Sequence, residues 1–134
     1  MGGDAAPGEV VAGAVAAARE LDVTIRLVGP SAVVAAELAR VAGPSVPGNL
    51  SILDAADVIG MDESPLSALR RKPRASIKVA TDLVARGEAS AVYSAGHTGA
   101  TLMAAHAALG LLPGADRPAL AILIPTLTDR KSVV

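Results

Sequence analysis

Apolar positions recur along the chain with two alternating periods. Between residues 7 and 21, Val10, Ala14, Val15, Ala18 and Leu21 return every three or four residues, the stripe of a helix that buries one face. Pro7 suits the first turn, where a missing N–H costs nothing. Residues 23–28, Val-Thr-Ile-Arg-Leu-Val, form a β-branched run closed by Gly29-Pro30, which predicts a strand. Residues 31–42 predict a second helix with Val34, Leu38 and Val41 inward and Gly43-Pro44 as its stop. Residues 50–53 predict a second strand. Residues 57–63 show no clear period. Ser64-Pro65 opens a short helix running to Arg71, and Pro73 interrupts it. Residues 75–86 read as a helix with Ile77, Ala80, Thr81 and Val84 on one face, ended by Gly87. A buried strand is expected over 89–94, a helix over 98–109 and another apolar strand over 119–124.

Helices alternating with strands imply an α/β fold, a mostly parallel sheet with helices on both faces. The chain enters its first helix almost directly, and residues 131–134 read as the start of another strand. Residues 1–134 are therefore expected to be a fragment incomplete at both ends, a chain with a misplaced start, or both.

Composition narrows the functions available. Aromatic residues make up 1% of the 134 positions, so the core is aliphatic and the stacking platforms of single-strand nucleic-acid binders are missing. A net charge of −1 gives no overall attraction for nucleic acid or an anionic membrane. With no cysteine, disulfides, thiolate catalysis and Cys-ligated zinc are excluded. Two histidines, His97 and His106, are too few for a histidine-only metal site. No apolar run reaches the ~18 residues of a membrane helix, and a cytoplasmic location is expected.

Three segments fall where parallel α/β sheets bind ligands, beyond the carboxyl ends of strands. The first is Ser94-Ala-Gly-His-Thr-Gly-Ala100, between a predicted strand and a predicted helix. Its glycines permit close backbone approach, and a helix start offers free amides and partial positive charge, which suits an anion such as phosphate. Ser94, His97 and Thr98 could add hydrogen bonds; the plainer reading is a turn with Thr98 as N-cap. The motif is neither a Walker loop nor a GxGxxG fingerprint. The second is Met1-Gly-Gly-Asp-Ala-Ala-Pro7, where Asp4 either caps the first helix or orients a group in the cleft. The third is Arg70-Arg-Lys-Pro-Arg74 with Lys78 beyond, read either as a solvated helix end or as a docking patch for an acidic partner or a phosphate group. Residues 125–130, Pro-Thr-Leu-Thr-Asp-Arg, are a plain turn or a hydroxyl-lined rim.

Four separated blocks resemble the phosphate acyltransferases of phospholipid synthesis: Met1-Gly-Gly-Asp-Ala-Ala-Pro-Gly-Glu-Val-Val-Ala-Gly-Ala14, Val58-Ile-Gly-Met-Asp-Glu-Ser-Pro65 with Ala68-Leu-Arg-Arg-Lys72, Ser94-Ala-Gly-His-Thr-Gly-Ala100, and Pro113-Gly-Ala-Asp-Arg-Pro-Ala119 running into Ile124-Pro-Thr-Leu127. The resemblance implies that residues 1–134 are the truncated N-terminal portion of a single α/β domain, with a fold similar to the isocitrate/isopropylmalate dehydrogenases, usually in a homodimer. It implies transfer of a fatty acyl group from acyl carrier protein to inorganic phosphate, giving acyl phosphate for a downstream membrane acyltransferase. It implies no metal or organic cofactor and no nucleic acid partner; a peripheral position at the inner membrane face is a further expectation. Carried over residue by residue, Gly2, Gly3 and Asp4 match the first cleft loop, and Ser94, Gly96, Thr98 and Gly99 match the glycine-rich loop. Together with His97 these are the expected substrate-binding residues, with Asp4, His97 and Thr98 the catalytic candidates. Arg70, Arg71 and Lys72 fit a patch facing the acidic carrier protein. The chain has Ala5 where the family usually has histidine, and His97 where it usually has asparagine. A non-catalytic remnant and a phosphate- or nucleotide-binding module are the alternative readings.

Overall fold

The computed structural model describes residues 2–125 and 130–133, with side chains as far as Ala121. Its elements follow in the order α1 (Gly8–Glu20), β1 (Ile25–Gly29), α2 (Ser31–Ala42), β2 (Leu50–Asp54), α3 (Pro65–Arg71), α4 (Ser76–Ala85), α5 (Thr98–Leu109), β3 (Ile122–Pro125) and β4 (Arg130–Val133).

Strands β1 and β2 are parallel, with Ile25 opposite Leu50 and Gly29 opposite Asp54. Helices α1 and α2 pack on each other and on this pair. The first core is Val11, Val15, Ala18, Leu27, Val34, Leu38, Ala42 and Leu50, all aliphatic as the composition requires. A second core joins Ile59, Ala68, Ala75 and Ala100, with Leu69 and Ile77 against it. It ties α3, α4 and α5 together, and α4 also touches β1. The small alanines allow these helices to approach closely, as dispersion contacts favour.

Side chains distant in sequence close the helix ends. Pro30 precedes α2 and offers no capping side chain. Asp54, at the end of β2, substitutes for it: its Oδ1 accepts from the Ser31 amide at 3.0 Å and from the Ser31 hydroxyl. A carboxylate at a helix start is doubly favourable, through the hydrogen bond and the dipole. At the other end of α2, Arg19 donates to the carbonyl of Ser45 at 3.1 Å. Asn49 holds the end of α1 by donating to the carbonyls of Ala18 and Val23.

Three expectations are corrected. The sheet is not one mostly parallel layer: β1 and β2 are parallel, but β3 and β4 form a separate antiparallel pair. Residues 89–94 are not a buried strand. They carry no strand pairing, Tyr93 is 85% exposed, and a strand forms only where a neighbour takes its hydrogen bonds. The apolar strand expected at 119–124 begins instead at Ile122. The expected rim at residues 126–129 lies outside the described residues.

Candidate functional site

The N-terminal loop and the glycine-rich turn, far apart in sequence, meet in the fold. Gly2 lies directly against Gly96: a Cβ added at Gly2 would stand 2.7 Å from the Gly96 Cα, closer than real Cβ contacts come. The reverse addition at Gly96 would stand 3.3 Å from the Gly2 Cα. Gly3, in the left-handed region at φ +111°, packs on the Ala95 carbonyl. Neither loop could reach the other with side chains between them, which gives the paired glycines a physical reason.

A small crevice opens beside this seam, with about 20 Å³ of interior space. That is room for one water-sized group or one oxygen of a larger ion. Gly2, Ser94, Gly96 and His97 line it, joined by Ile59, Ser76, Ile77, Ala100 and Thr101.

The turn before α5 is held by its own side chains. The Ser94 hydroxyl accepts from the Gly96 amide at 3.2 Å. His97, and not Thr98, is the N-cap of α5: its Nδ1 accepts from the Gly99 amide at 3.1 Å. Accepting at Nδ1 leaves the proton on Nε2, so the neutral ring is a donor on its other side. The Thr101 hydroxyl donates back to the His97 carbonyl at 3.3 Å. Among the described residues the amides of Thr98 and Ala100 have no acceptor, as expected of a helix first turn. Gly99 is pressed between Pro65, whose Cγ would lie 3.0 Å from an added Cβ, and the His97 ring.

The remaining expected residues lie elsewhere. Asp4 and Thr98 are exposed and do not line the crevice. Asp4 does not cap α1, whose N-cap position is Pro7. Ala5 sits exposed in the turn before that helix. The basic cluster divides. Lys72 is half-buried and donates to the Val58 carbonyl at 2.7 Å and to Glu63, while Arg71 stands 3.9 Å from Glu63 and Arg70 is exposed. Lys72 therefore serves the fold by cinching the loop at 58–63. Its bond, followed by the Gly60 amide donating at 2.8 Å, holds the Glu63 carboxyl below the usual range. That loop carries Ile59 to the crevice wall and Pro65 to Gly99.

Ser76, Ile77, Ile59 and Thr101 were not legible as site residues. Ser76 and Ile77 open α4, and only the packing of α4 on α5 brings that helix start to the same crevice. Among the described residues there is no group of three or more acidic, histidine or cysteine side chains that could hold a metal. No helix among them is long and apolar enough to cross a membrane.

The profile of the family described as "Fatty acid synthesis protein" matches residues 1–134. The chain belongs to this family. It is 53% identical over 134 residues to a phosphate acyltransferase of Thermosynechococcus vestitus, covering 100% of this chain and 38% of that protein. It is 49% identical over 134 residues to a phosphate acyltransferase of Gloeothece citriformis, covering all of this chain and 37% of the relative. A phosphate acyltransferase of Heliobacterium modesticaldum is 51% identical over 132 residues, with 98% of this chain and 39% of the relative covered. The chain thus spans well under half the length of these relatives.

Proposed function

We propose that this chain is the N-terminal portion of an acyltransferase that moves a fatty acyl group from acyl carrier protein onto inorganic phosphate. The observation that carries the reading is the seam between Gly2 and Gly96, which builds a crevice at the start of α5 from the family's two glycine motifs.

The chemistry needs little more than a held and oriented nucleophile. A phosphate oxygen attacks the thioester carbonyl carbon, a C–O bond forms and the C–S bond breaks. Hydrogen phosphate loses its proton to the departing sulfur, so the products are acyl phosphate and free carrier thiol, with charge balanced. The first-turn amide of Ala100 and the Ser94 and His97 donors suit a phosphate anion. His97 acts as cap and donor, since its Nδ1 lone pair is already committed. Arg70 and Arg71 are the exposed cations for the acidic carrier protein. The dehydrogenase-like overall fold, the homodimer, the cytoplasmic or membrane-peripheral location and delivery to a membrane acyltransferase belong to this same reading of the whole protein.

The test is a trapping assay. The protein, an acyl carrier protein thioester and phosphate are mixed with hydroxylamine, and acyl hydroxamate is measured. Hydroxamate that rises with phosphate concentration is expected; none above the phosphate-free control refutes the function.

A further inference from the structure

Lys72 differs from its basic neighbours in what it touches. It follows the last residue of α3, yet its ammonium turns back to the loop that precedes that helix. There it donates to the Val58 carbonyl at 2.7 Å and to the Glu63 carboxylate. The same Glu63 oxygen accepts from the Gly60 amide at 2.8 Å. Val58, Gly60, Glu63 and Lys72 therefore close a ring across α3. The Lys72 side chain is 29% exposed against 68% for Arg71. A half-sheltered ion pair tied to the backbone at both ends fixes a conformation, as a fully exposed pair does not. The ring bears on the crevice at two points. Ile59, between Val58 and Gly60, is buried in the core with Ala68, Ala75 and Ala100 and also forms part of the crevice wall. Pro65, two residues after Glu63, has its Cγ 3.0 Å from where a Gly99 Cβ would stand, and the Gly99 amide is the one that donates to His97. A shift of this loop would move a wall of the crevice and the support of the turn together.

We propose that Lys72 is a positioning residue for the crevice and not a contact for the acidic carrier protein: through Glu63 it holds the loop at 58–65, which sets Ile59 and the turn at Gly99. The effect on substrate rests on the phosphate reading given above. Lys72 is not among the residues lining the crevice, so it acts through packing and never touches the anion.

NMR spectra of the parent, K72M and E63Q are compared, and inorganic phosphate and an acyl carrier protein are each titrated into all three. In K72M the Gly60 amide, the Gly99 amide and the His97 ring signals should all shift, while those of α1 and α2 stay as in the parent. Its phosphate affinity should fall about fivefold, less than for loss of a direct contact with the ion, and its affinity for the carrier protein should be unchanged. The double variant E63Q/K72M should be no weaker than K72M, because both substitutions open one ring. A shift at Gly60 with Gly99 and His97 unmoved overturns the positioning role. So does a loss of carrier-protein affinity with phosphate affinity intact. Absence of phosphate binding in the parent removes the phosphate reading instead, and the Gly99 and His97 signals then decide by themselves whether Lys72 holds the turn. If K72M melts several degrees lower than the parent, E63Q, which keeps the side-chain shape, is judged by the same criteria.

Discussion

A single methyl group at Gly2 would strike the site at its tightest point. In G2A the new carbon must displace the backbone of Gly96, not a flexible side chain. The two loops should separate, and phosphate affinity measured by titration should fall at least about tenfold, a loss of about 1.4 kcal/mol, while the cores remain folded. His97 gives a second test. H97A removes the acceptor for the Gly99 amide and should lower stability by about 1 kcal/mol in chemical denaturation. H97N should stay within a few tenths of the parent, because asparagine is at least as good a cap. Histidine and asparagine can both perform the one physical task the turn sets at this position, accepting from the helix's first turn. The glycine turns could be read from the sequence because a turn's backbone demand is local, whereas the contact between Gly2 and Gly96 could not. Thr98 looked the better cap by residue preference, yet the turn places the ring of His97 and not the Thr98 hydroxyl at the Gly99 amide. Ser76 carried no signal at all, since nothing local in the sequence separates a serine that merely opens a helix from one that also lines a crevice.

Helix α2 depends on a carboxylate from β2, Asp54, and the loop at 58–63 on its own carboxylate, Glu63, held by Lys72 from the end of α3. The Ser31 hydroxyl, then the Ser31 amide, then Arg74 hold Asp54 below its ordinary value of 3.8, and Lys72 and Gly60 hold Glu63 below 4.5. Groups depressed in the folded state contribute fully above those ordinary values and lose their contribution as pH falls through the depressed ones. Denaturation midpoints should therefore be nearly level from pH 7 to about 5 and then fall with acid. E63Q should be less stable than the parent at pH 7, with the gap narrowing as the pH drops. The helix pair α1–α2 has a plainer test. Val34 is fully buried, and V34A removes about two methylene equivalents, which should cost about 2 kcal/mol in urea denaturation. The helices were well read from periodicity because a 3.6-residue stripe is a property of the segment itself. The strand expected at 89–94 failed for the opposite reason: an apolar run becomes a strand only beside a partner, and none pairs with it among the described residues.

Across the molecule as a whole, apolar side chains collect outside both cores. Tyr93 is 85% and Leu112 80% exposed, with Leu109, Leu111 and Leu120 also open. Neither Tyr93 nor Leu112 packs into a core cluster. The double variant Y93K/L112K should leave the melting temperature unchanged and reduce binding of a hydrophobic dye. An unchanged dye signal would show that this surface is already covered.

By itself the sequence determined the aliphatic cores, the helices, the first parallel strands and the glycine turns, as well as the family through four spaced blocks. Each of these depends on nearby residues, on composition or on order along the chain. Folding in three dimensions decided that Gly2 rests on Gly96, that Asp54 caps a helix it does not belong to, that Lys72 is consumed by Glu63, and that Ser76 shares a crevice with Ser94. Such pairings join segments separated by 9 to 94 positions along the chain. Their partners are selected by packing geometry and by the burial of the groups between them, and neither quantity exists until the helices and strands have docked.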